Sequence, residues 1–552
     1  MKRSFVTITS GAGALLFGLL MLPLQGCTNL DETPVSAITP ANFFRNDAEV
    51  LAGLAGVYAQ LRSTVPEGGI YDANEVTSDE IVVPIRGPDW NDNGQWIDLH
   101  NQTWTPTSIA TANFFNGAWN SPYTGVARAN LFITSVEPKN VTNKATVLAE
   151  ARALRAFYYY LLMDMFGGVP IVTTLDVTPH ARNTRRETFD FIESELIAAR
   201  DSGLPDTWDA ANNGRLTKGA ADAILASMYI NAGVWTKDGA GAGGINATGY
   251  NTCLGVTVHG GVDACQAAID AADRIINLGV YQLADSFPKL FRADNNNSPE
   301  NIFVVKFIAQ DGLGFGSINM AALHYCQYAP LTPWNGFSTL AQTYQSFDPA
   351  DKRRKTILVG PQVDVLTGAP ATIRVGGACP TSGGTPLVFK DTIPDITGVD
   401  SPTNPIEAQG ARIYKWPVDP AHVQQNGGTD FAWFRLAEIR LIKAEALNEQ
   451  SPGSAAALAE LNAVRNRSGD PVAPALAGPI TRQMILNERL FELFAEGKRR
   501  QDLIRFGGYT ARTDAASGLA GGKTARADYY VLYPIPQTQI NANGLLTQNP
   551  GF

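Results

Sequence analysis

The chain has 552 residues and a formal net charge of −9, with 45% hydrophobic and 17% charged residues. This composition is typical of a globular protein, is too apolar for a disordered chain, and allows a sizeable core. The acidic balance and the absence of long Lys/Arg runs argue against binding to a phosphate backbone, so we expect no nucleic-acid partner.

The N-terminus has the order of an export signal. A short basic start precedes an apolar stretch at residues 11–24, which is too short to span a membrane comfortably. The stretch ends in LPLQGC, where a small residue precedes Cys27 as in bacterial lipoproteins, although Gln25 departs from the usual small or β-branched residue. We predict a signal peptide over residues 1–26 and a lipid anchor on Cys27. The alternative is ordinary secretory cleavage with an incidental cysteine.

Four further cysteines suit an exported protein with disulfides. Three connectivities are possible, and the 12-residue separation favours Cys253–Cys265, which leaves Cys326–Cys379 as the second pair. The sequence contains neither Cys-x-x-Cys nor His-x-x-x-His, and its five histidines are scattered. We therefore expect no zinc site.

Apolar residues recur at helical spacing along much of the chain. The pattern predicts helices over residues 40–62, 113–136, 144–166, 188–203, 217–234, 262–278, 430–448, 454–466 and 479–507, and a strand over 302–308. Alanines at recurring inward positions are typical of tetratricopeptide-like hairpins, although the repeat length is irregular.

These elements predict a mainly α fold in which a helical scaffold carries long loop-rich insertions and a few short strands. We expect one domain over residues 27–552. The scaffold covers about 40–62, 144–300 and 430–507, and the insertions cover about 65–143 and 301–429. Long loops in a compact protein usually carry function, so we expect the insertions to face the ligand.

The segment 479–507 first suggests catalysis. Glu488, Glu492 and Glu496 recur every four residues, so a continuous helix aligns them on one side. A hydrolase pair needs one carboxyl with a raised pKa, whereas the neighbouring arginines lower the pKa of every carboxyl. We interpret the three glutamates as structural ion pairs, and we expect Thr481 to cap the helix.

Several segments in chain order together resemble the SusD/RagB family of outer-membrane nutrient-binding lipoproteins. Besides the lipoprotein signal, they are GRLTKGAA at 214–221, FRLAEIRLIKAEA at 434–446, ILNERLFELFAEG at 485–497, LYPIP at 532–536 and LTQNPG at 546–551. The resemblance implies an all-α fold with tetratricopeptide-like hairpins.

The resemblance also implies a binding protein, with no enzymatic activity and no cofactor. Such proteins resemble a lid on a SusC-like TonB-dependent transporter, to which they deliver a glycan or, in some members, peptides. Asp31 and Glu32 follow Cys27 and loosely resemble the surface-export signal of Bacteroidetes-type lipoproteins. We therefore expect a lipid-anchored protein on the outer membrane that faces the cell exterior.

A neutral sugar has an apolar C–H face and a rim of hydroxyls, which aromatic rings and Asn, Asp, Gln or Arg side chains recognise. The insertions hold the densest mixture of these residues. The predicted ligand-binding residues are Asp79, Arg86, Asp89, Trp90, Asn93, Trp96, Trp334 and Asn335. We expect Trp90 to be the most exposed tryptophan and Trp334 the next, with Trp104 and Trp119 in the core.

Two other functions stay open from the sequence. One is a lipid-anchored glycoside hydrolase that uses acids of the 71–104 loop, and the other is a helical scaffold that binds a protein or peptide. The oxygens of Asp89, Asp92 and Asn93 suggest calcium, but the EF-hand spacing is absent, so we predict no metal.

Overall fold

Helices dominate the computed structural model, which describes residues 43–65, 69–241, 243–310 and 312–552. The α-helices of this part are α1 (Asp47–Ala59), α2 (Ile70–Glu75), α3 (Gln95–Asn101), α4 (Asn116–Val136), α5 (Lys144–Phe166), α6 (Arg185–Ser202), α7 (Lys218–Ile230), α8 (Ala232–Trp235), α9 (Ala264–Asn277), α10 (Ser317–Ala322), α11 (Ala341–Ser346), α12 (Leu436–Gln450), α13 (Ala455–Arg465), α14 (Arg482–Leu493), α15 (Arg499–Arg505) and α16 (Gln537–Ala542). Within the described ranges, no helix combines the length and the apolar sequence that a bilayer crossing requires. The predicted signal peptide and Cys27 lie outside the described residues.

The long helices pack as successive neighbours. α4 lies against α5, α5 against α6, α6 against α7, α7 against α9, and α9 against α12, which forms a hairpin with α13. α7 and α9 both bury alanines, among them Ala220, Ala223, Ala268 and Ala271. The predicted scaffold of helical hairpins is confirmed. Because α4 packs on α5, the last part of the first predicted insertion lies with this scaffold.

Side-chain caps fix the starts of several helices. Thr184 and Glu187 form a capping box at α6, and Thr217 and Thr481 accept backbone N–H bonds at the starts of α7 and α14. α5 ends at Gly167, whose φ of 79° suits glycine. The predicted Thr481 cap and the predicted end of α5 are therefore confirmed.

The prediction of one helix over residues 479–507 is wrong. α14 and α15 are joined by a turn in which Ala495 and Gly497 have φ of 63° and 77°. Distant side chains hold this turn, because the Ala495 N–H donates to Glu80 at 2.7 Å and the Gly497 N–H donates to Glu75. Periodicity does not reveal the break, since the apolar spacing continues across it.

The start of the predicted helix over residues 430–448 is a strand instead. β7 (Phe431–Arg435) pairs antiparallel with β1 (Asn301–Val305), and α12 begins only at Leu436. Four of the five residues of β7 are buried, and three are aromatic, which favours a strand over a helix start.

Short strands organise the second insertion. β2 (Ser338–Thr339), β3 (Ile357–Leu358) and β6 (Ala411–Ile413) form an antiparallel sheet in the order β2-β6-β3, and β4 (Gly360–Pro361) pairs with β5 (Val388–Phe389). The two disulfides are Cys253–Cys265, at the start of α9, and Cys326–Cys379, inside this insertion. These are the pairs that the spacing favoured.

Candidate functional site

The three glutamates near α14 lie in a buried ionic network. Arg353 reaches Glu488 at 2.6 Å and Glu492 at 2.9 Å, and Arg435 reaches Glu492 at 2.6 Å. We name as the ionic network the buried residues Glu300, Arg353, Lys415, Arg435, Arg465, Arg467, Glu488, Glu492 and Glu496. Its charges are engaged with each other and are closed to solvent.

Electrostatics in the ionic network oppose acid catalysis. Burial alone would raise the pKa of Glu492, but Arg467, Arg435 and Arg353 outweigh burial and hold the pKa well below its ordinary value. The pKa of Glu496 is likewise lowered, against burial, by the charges of Arg435 and Lys415. A general acid needs a raised pKa. The network therefore fits the interpretation as structural ion pairs.

Asp79, one of the predicted ligand-binding residues, faces the scaffold. Its carboxylate accepts hydrogen bonds from Arg499 at 2.7 and 2.9 Å. Burial would raise the pKa of Asp79, but Arg499 lowers it below the ordinary value. Asp79 therefore ties the first insertion to α15 and is not brought together with the other candidates.

Arg86 and Asn335 are buried between loops of the two insertions. Arg86 donates to the carbonyls of Asn335 and Ile406, at 3.2 and 2.6 Å, and to Ser338 Oγ at 2.8 Å. Arg412 donates to Asn335 Oδ1 at 2.9 Å and to Ser338 Oγ at 2.7 Å. Burial lowers the pKa of both arginines. Together they fix the backbone that carries the more exposed candidates.

The expected exposure of Trp90 is wrong. Only 9% of the residue is accessible, because its ring lies against Trp96 and Phe337, with centroids 5.4 and 6.0 Å away. Trp90 Nε1 donates to the carbonyl of Trp334 at 2.6 Å. Gly336 leaves room for the ring, since a Cβ there would lie 2.3 Å from it. Phe337 comes from the second insertion, so the polar sequence neighbours of Trp90 do not predict its exposure.

The other candidates of the first insertion divide between core and surface. Trp96 is buried and donates Nε1 to Asp92 Oδ2 at 2.8 Å, whereas Asn93 is exposed at a φ of 56°. Trp104 and Trp119 are buried, as predicted. In the described part of the chain, no group of three or more His, Cys, Asp or Glu side chains is arranged to hold a metal.

A partly exposed group joins the two insertions, and we name it the platform: Asp89, Tyr325, Arg374 and Glu407, whose side chains contact one another, and Trp334, whose backbone carbonyl accepts a hydrogen bond from Trp90. The Tyr325 hydroxyl donates to Asp89 at 2.5 Å, and the Arg374 guanidinium lies 3.3 Å from the centroid of the Tyr325 ring. Arg374 Nε donates to Glu407 at 2.7 Å. The Asp89 side chain is 41% exposed, and Trp334, Arg374 and Glu407 are half-buried.

The tryptophan of the platform rests on a firm apolar base. Trp334 packs against a buried cluster of Met320, Leu323, Tyr328 and Val418 while its ring stays partly exposed, as predicted. Its backbone N–H donates to the Met320 carbonyl at 2.6 Å. An indole fixed in this way offers a surface for stacking without an ordering cost on binding.

Glu407 keeps the platform charged and paired. His324 Nε2 lies 3.1 Å from Glu407 Oε2. Burial lowers the pKa of His324, although Glu407 opposes the shift. Burial would raise the pKa of Glu407, but the bonds from His324 and Arg374 lower it. Glu407 is therefore a carboxylate at neutral pH and holds Arg374 in place.

Arg374 and Glu407 are the site residues that sequence reasoning missed. Both lie in irregular segments without periodicity. One signal was available, because a Cys326–Cys379 pair brings the chain near Cys379 beside Tyr325. Arg374 lies five residues from Cys379. The disulfide therefore predicts an approach of these two segments that no motif predicts.

The platform has the chemistry of a carbohydrate contact surface. Trp334 offers an apolar ring face, while Asp89 and Arg374 offer a charged acceptor and a planar donor to hydroxyl groups. The charges are mutually paired, which favours a neutral ligand over an ionic one. That any of the eight predicted residues touches a ligand stays a prediction.

Comparisons with known proteins match this chain along almost its whole length. The family model described as "SusD family" matches residues 293–552, and a second, described as "Starch-binding associating with outer membrane", matches residues 30–230. The starch-binding protein SusD of Bacteroides thetaiotaomicron is 26% identical over 98% of both chains. The SusD-like protein P2 of Formosa agariphila is 25% identical over 98% of this chain and 99% of its own.

Solved structures show the same fold. A laminarin-binding SusD-like protein aligns with a TM-score of 0.67 at 23% identity, over 92% of this chain and all of the other. Surface glycan-binding protein A from Bacteroides thetaiotaomicron, in complex with laminarihexaose, aligns with a TM-score of 0.68 at 20% identity, over 91% and 99%. With the motifs of the sequence, the two family models and the full-length relatives show that this chain belongs to the SusD/RagB family.

Proposed function

We propose that this protein binds a neutral glycan at the cell surface, that the platform makes the contacts, and that the ligand is passed to a SusC-like TonB-dependent transporter. The observation that carries the proposal is the partly exposed Asp89–Tyr325–Arg374 group, together with the half-buried Trp334, whose carbonyl accepts a hydrogen bond from Trp90, the sequence neighbour of Asp89. Relatives named for starch binding and a structural neighbour with bound laminarihexaose support the same ligand class.

Binding without cleavage fits the platform better than hydrolysis. A glycosidase needs a general acid with a raised pKa, but the pKa of Glu407 is lowered by His324 and Arg374 despite burial. The Asp89 carboxylate accepts a hydrogen bond from Tyr325. We therefore expect no reducing ends when purified protein is incubated with polysaccharides. Their release would contradict the binding function.

Affinity electrophoresis against a panel of polysaccharides tests the ligand class directly. We expect starch or laminarin to retard the wild-type protein and to retard a Trp334→Ala variant much less. An exposed Val177→Ala change serves as the control, since Val177 lies outside the platform and is 95% exposed. Equal retardation of Trp334→Ala and wild type would contradict the platform as the contact surface.

The membrane anchor and the transporter are the finer parts of the proposal. Cys27 would carry the acyl chains and hold the protein at the outer membrane, facing the exterior. We expect wild-type protein in the outer-membrane fraction and a Cys27→Ala variant in the soluble fraction. Protease added to intact cells tests surface display, and co-purification of a TonB-dependent transporter with tagged protein tests the partnership.

A further inference from the structure

A cleft that shares no residue with the platform lies between the segment before α7 and the chain around β1. Its volume is about 140 Å³, and its lining includes Trp208, Asn213, Tyr281, Ser298 and Asn301. We propose that this Trp208 cleft is a second glycan-binding site, which takes one ring of a neutral sugar chain. The inference goes beyond the proposed function, because it requires no part of the platform.

Trp208 is held in place before any ligand arrives. Its Nε1 donates to the Leu216 carbonyl at 2.8 Å, and the Arg215 guanidinium lies 4.0 Å from the indole centroid. Arg215 in turn pairs with the buried Glu150 at 2.5 Å and donates to Asn212 Oδ1 at 2.7 Å. The indole stays half-buried. Arg215 covers one face of the indole, so a sugar would stack on the opposite face of this fixed ring.

Tyr281 provides a second fixed aromatic ring. Its hydroxyl shares a hydrogen bond of 2.8 Å with Thr217 Oγ1. Gly219 permits this position, since a Cβ on Gly219 would lie 2.6 Å from the tyrosine side chain. Trp208 and Tyr281 both line the cleft. The cleft therefore combines aromatic surface with polar atoms, as a sugar site does.

One polar atom of the cleft lacks a partner. Asn301 Nδ2 donates to the Asn295 carbonyl at 3.1 Å, but Asn301 Oδ1 is buried and has no hydrogen-bond partner among the described residues. A buried acceptor without a donor is costly, and natural proteins rarely leave one unsatisfied. Because this oxygen is closed to solvent, the polar contacts of a sugar would come from other side chains of the lining, such as Asn213 and Ser298.

The charge of the cleft indicates a neutral ligand. Arg215 is the one charged residue in the described lining, and Glu150 already pairs with it. An acidic sugar would find no free cation there, and a basic one would find no free carboxylate. The lining of Asn, Ser and Thr side chains instead suits hydroxyl groups.

The size of the cleft indicates one ring of a longer chain. A volume of about 140 Å³ is below the roughly 300 Å³ of sites for larger ligands. A neighbouring cleft of about 520 Å³ shares Ser298 and Pro299 with it and is lined further by Gln282, Asp285 and Lys289. Adjacent rings of the same glycan would lie there.

Isothermal titration calorimetry with maltoheptaose and laminarihexaose tests the proposal. We expect two binding events in wild type. Trp334→Ala should weaken the platform event about tenfold, and Trp208→Ala should weaken the cleft event about tenfold. Val280→Trp provides a second variant, because Val280 lines the cleft and is 38% exposed, so the larger ring blocks the cleft without disturbing the core. Val177→Trp, at an exposed site elsewhere, is the matched control.

The outcomes separate the two sites. Trp208→Ala and Val280→Trp are each added to the Trp334→Ala variant. If neither weakens the binding that remains there, the cleft proposal is overturned. Complete loss of binding in Trp334→Ala would overturn it too, while leaving the platform intact. Binding lost in Trp208→Ala but unchanged in Trp334→Ala would support the cleft and contradict the platform. A wild-type protein that binds neither sugar would contradict both proposals.

Discussion

The ionic network and the platform contain the same residue types but differ in their exposure to solvent. Both combine arginines, carboxylates and aromatic rings. In the network, every member is buried and the carboxylates are shared among Arg353, Arg435, Arg467 and Lys415. In the platform, the Asp89 side chain is 41% exposed and Trp334 keeps part of its ring open. Burial, rather than residue type, separates structural charges from those available to a ligand.

The difference follows from the cost of buried charge. A buried ion pair is stable only when its geometry and hydrogen bonding are complete, so it has no capacity left for a ligand. A partly exposed pair keeps water as an alternative partner, and a sugar hydroxyl replaces that water at little cost. The three glutamates of the α14 region therefore stabilise the fold, whereas the platform is available to a ligand.

The largest expected effect comes from opening the ionic network. Glu492→Ala leaves Arg353, Arg435 and Arg467 short of a carboxylate, so we expect it to lower the free energy of unfolding by about 3–5 kcal/mol. Denaturant unfolding measures the change. Asp190→Ala, which removes an exposed pair with Arg186 on α6, is the control and should change stability by less than about 1 kcal/mol. Equal changes in unfolding free energy in the two variants would show that burial does not set what an ion pair contributes to stability.

Trp90 and Trp334 give a second contrast, this time inside the candidate site. Trp90→Ala removes a buried ring between Trp96 and Phe337, so we expect a loss of about 3 kcal/mol of stability. Trp334→Ala should cost less stability, because its ring is partly exposed, and should cost more affinity. Thermal unfolding and calorimetric titration on the same samples check both. A stable Trp90→Ala variant would contradict the buried position of this ring.

A buried pair of carboxyl groups makes the stability of the fold depend on pH. Burial raises the pKa of Glu75 to about 7, beside Glu80, whose pKa is also raised well above its ordinary value. A carboxyl with a raised pKa in the folded state stabilises fully below its unfolded value of 4.5, and this contribution disappears as the pH rises through 7.

Glu75→Gln should therefore gain stability relative to wild type between pH 5 and pH 8. The gain is at most about 3 to 4 kcal/mol, since each pKa unit corresponds to about 1.4 kcal/mol. Glutamine keeps an oxygen that accepts from the Gly497 N–H. Unfolding free energies across this pH range provide the test. A difference between variant and wild type that does not change with pH would mean that Glu75 does not titrate there.

The two disulfides give a smaller and more selective contrast. Cys326–Cys379 joins the segments that carry Tyr325 and Arg374, whereas Cys253–Cys265 lies at the start of α9. Replacing the first pair by serines should weaken glycan binding several-fold, because the stacking of Arg374 on Tyr325 loses its tether. Replacing the second pair should leave affinity unchanged. Equal affinities in the two double variants would show that the platform needs no tether.

The apolar spacing of the sequence predicted the scaffold helices, because that spacing and the residues at the helix ends are features of each segment by itself. α5 runs from Lys144 to Phe166, as its apolar spacing predicts, and ends at Gly167. The break between α14 and α15 escaped prediction because Glu75 and Glu80 hold the turn from the other end of the chain. Gly497 is a local signal of a break, since its φ of 77° suits glycine, but the bonds that hold the turn depend on distant residues.

The candidate site was predictable in composition but not in exposure. Trp334 and Asp89 were chosen by residue type in a loop-rich segment, and both are partly exposed. Trp90 was chosen by the same reasoning and is covered by Trp96 and by Phe337 of the second insertion. Arg374 was missed because its contact with Tyr325 depends on how the second insertion folds. Exposure depends on tertiary contacts, so a list of residue types does not determine it.

The central claim is that the platform binds the glycan and the ionic network supports the fold. The most direct test measures the unfolding free energy and the dissociation constant for laminarihexaose or maltoheptaose on the same preparations of Glu492→Ala and Trp334→Ala. We predict that Glu492→Ala loses stability and, wherever it remains folded, binds like wild type, while Trp334→Ala stays stable and binds about tenfold more weakly. A folded, equally stable Glu492→Ala variant that no longer binds would contradict the account.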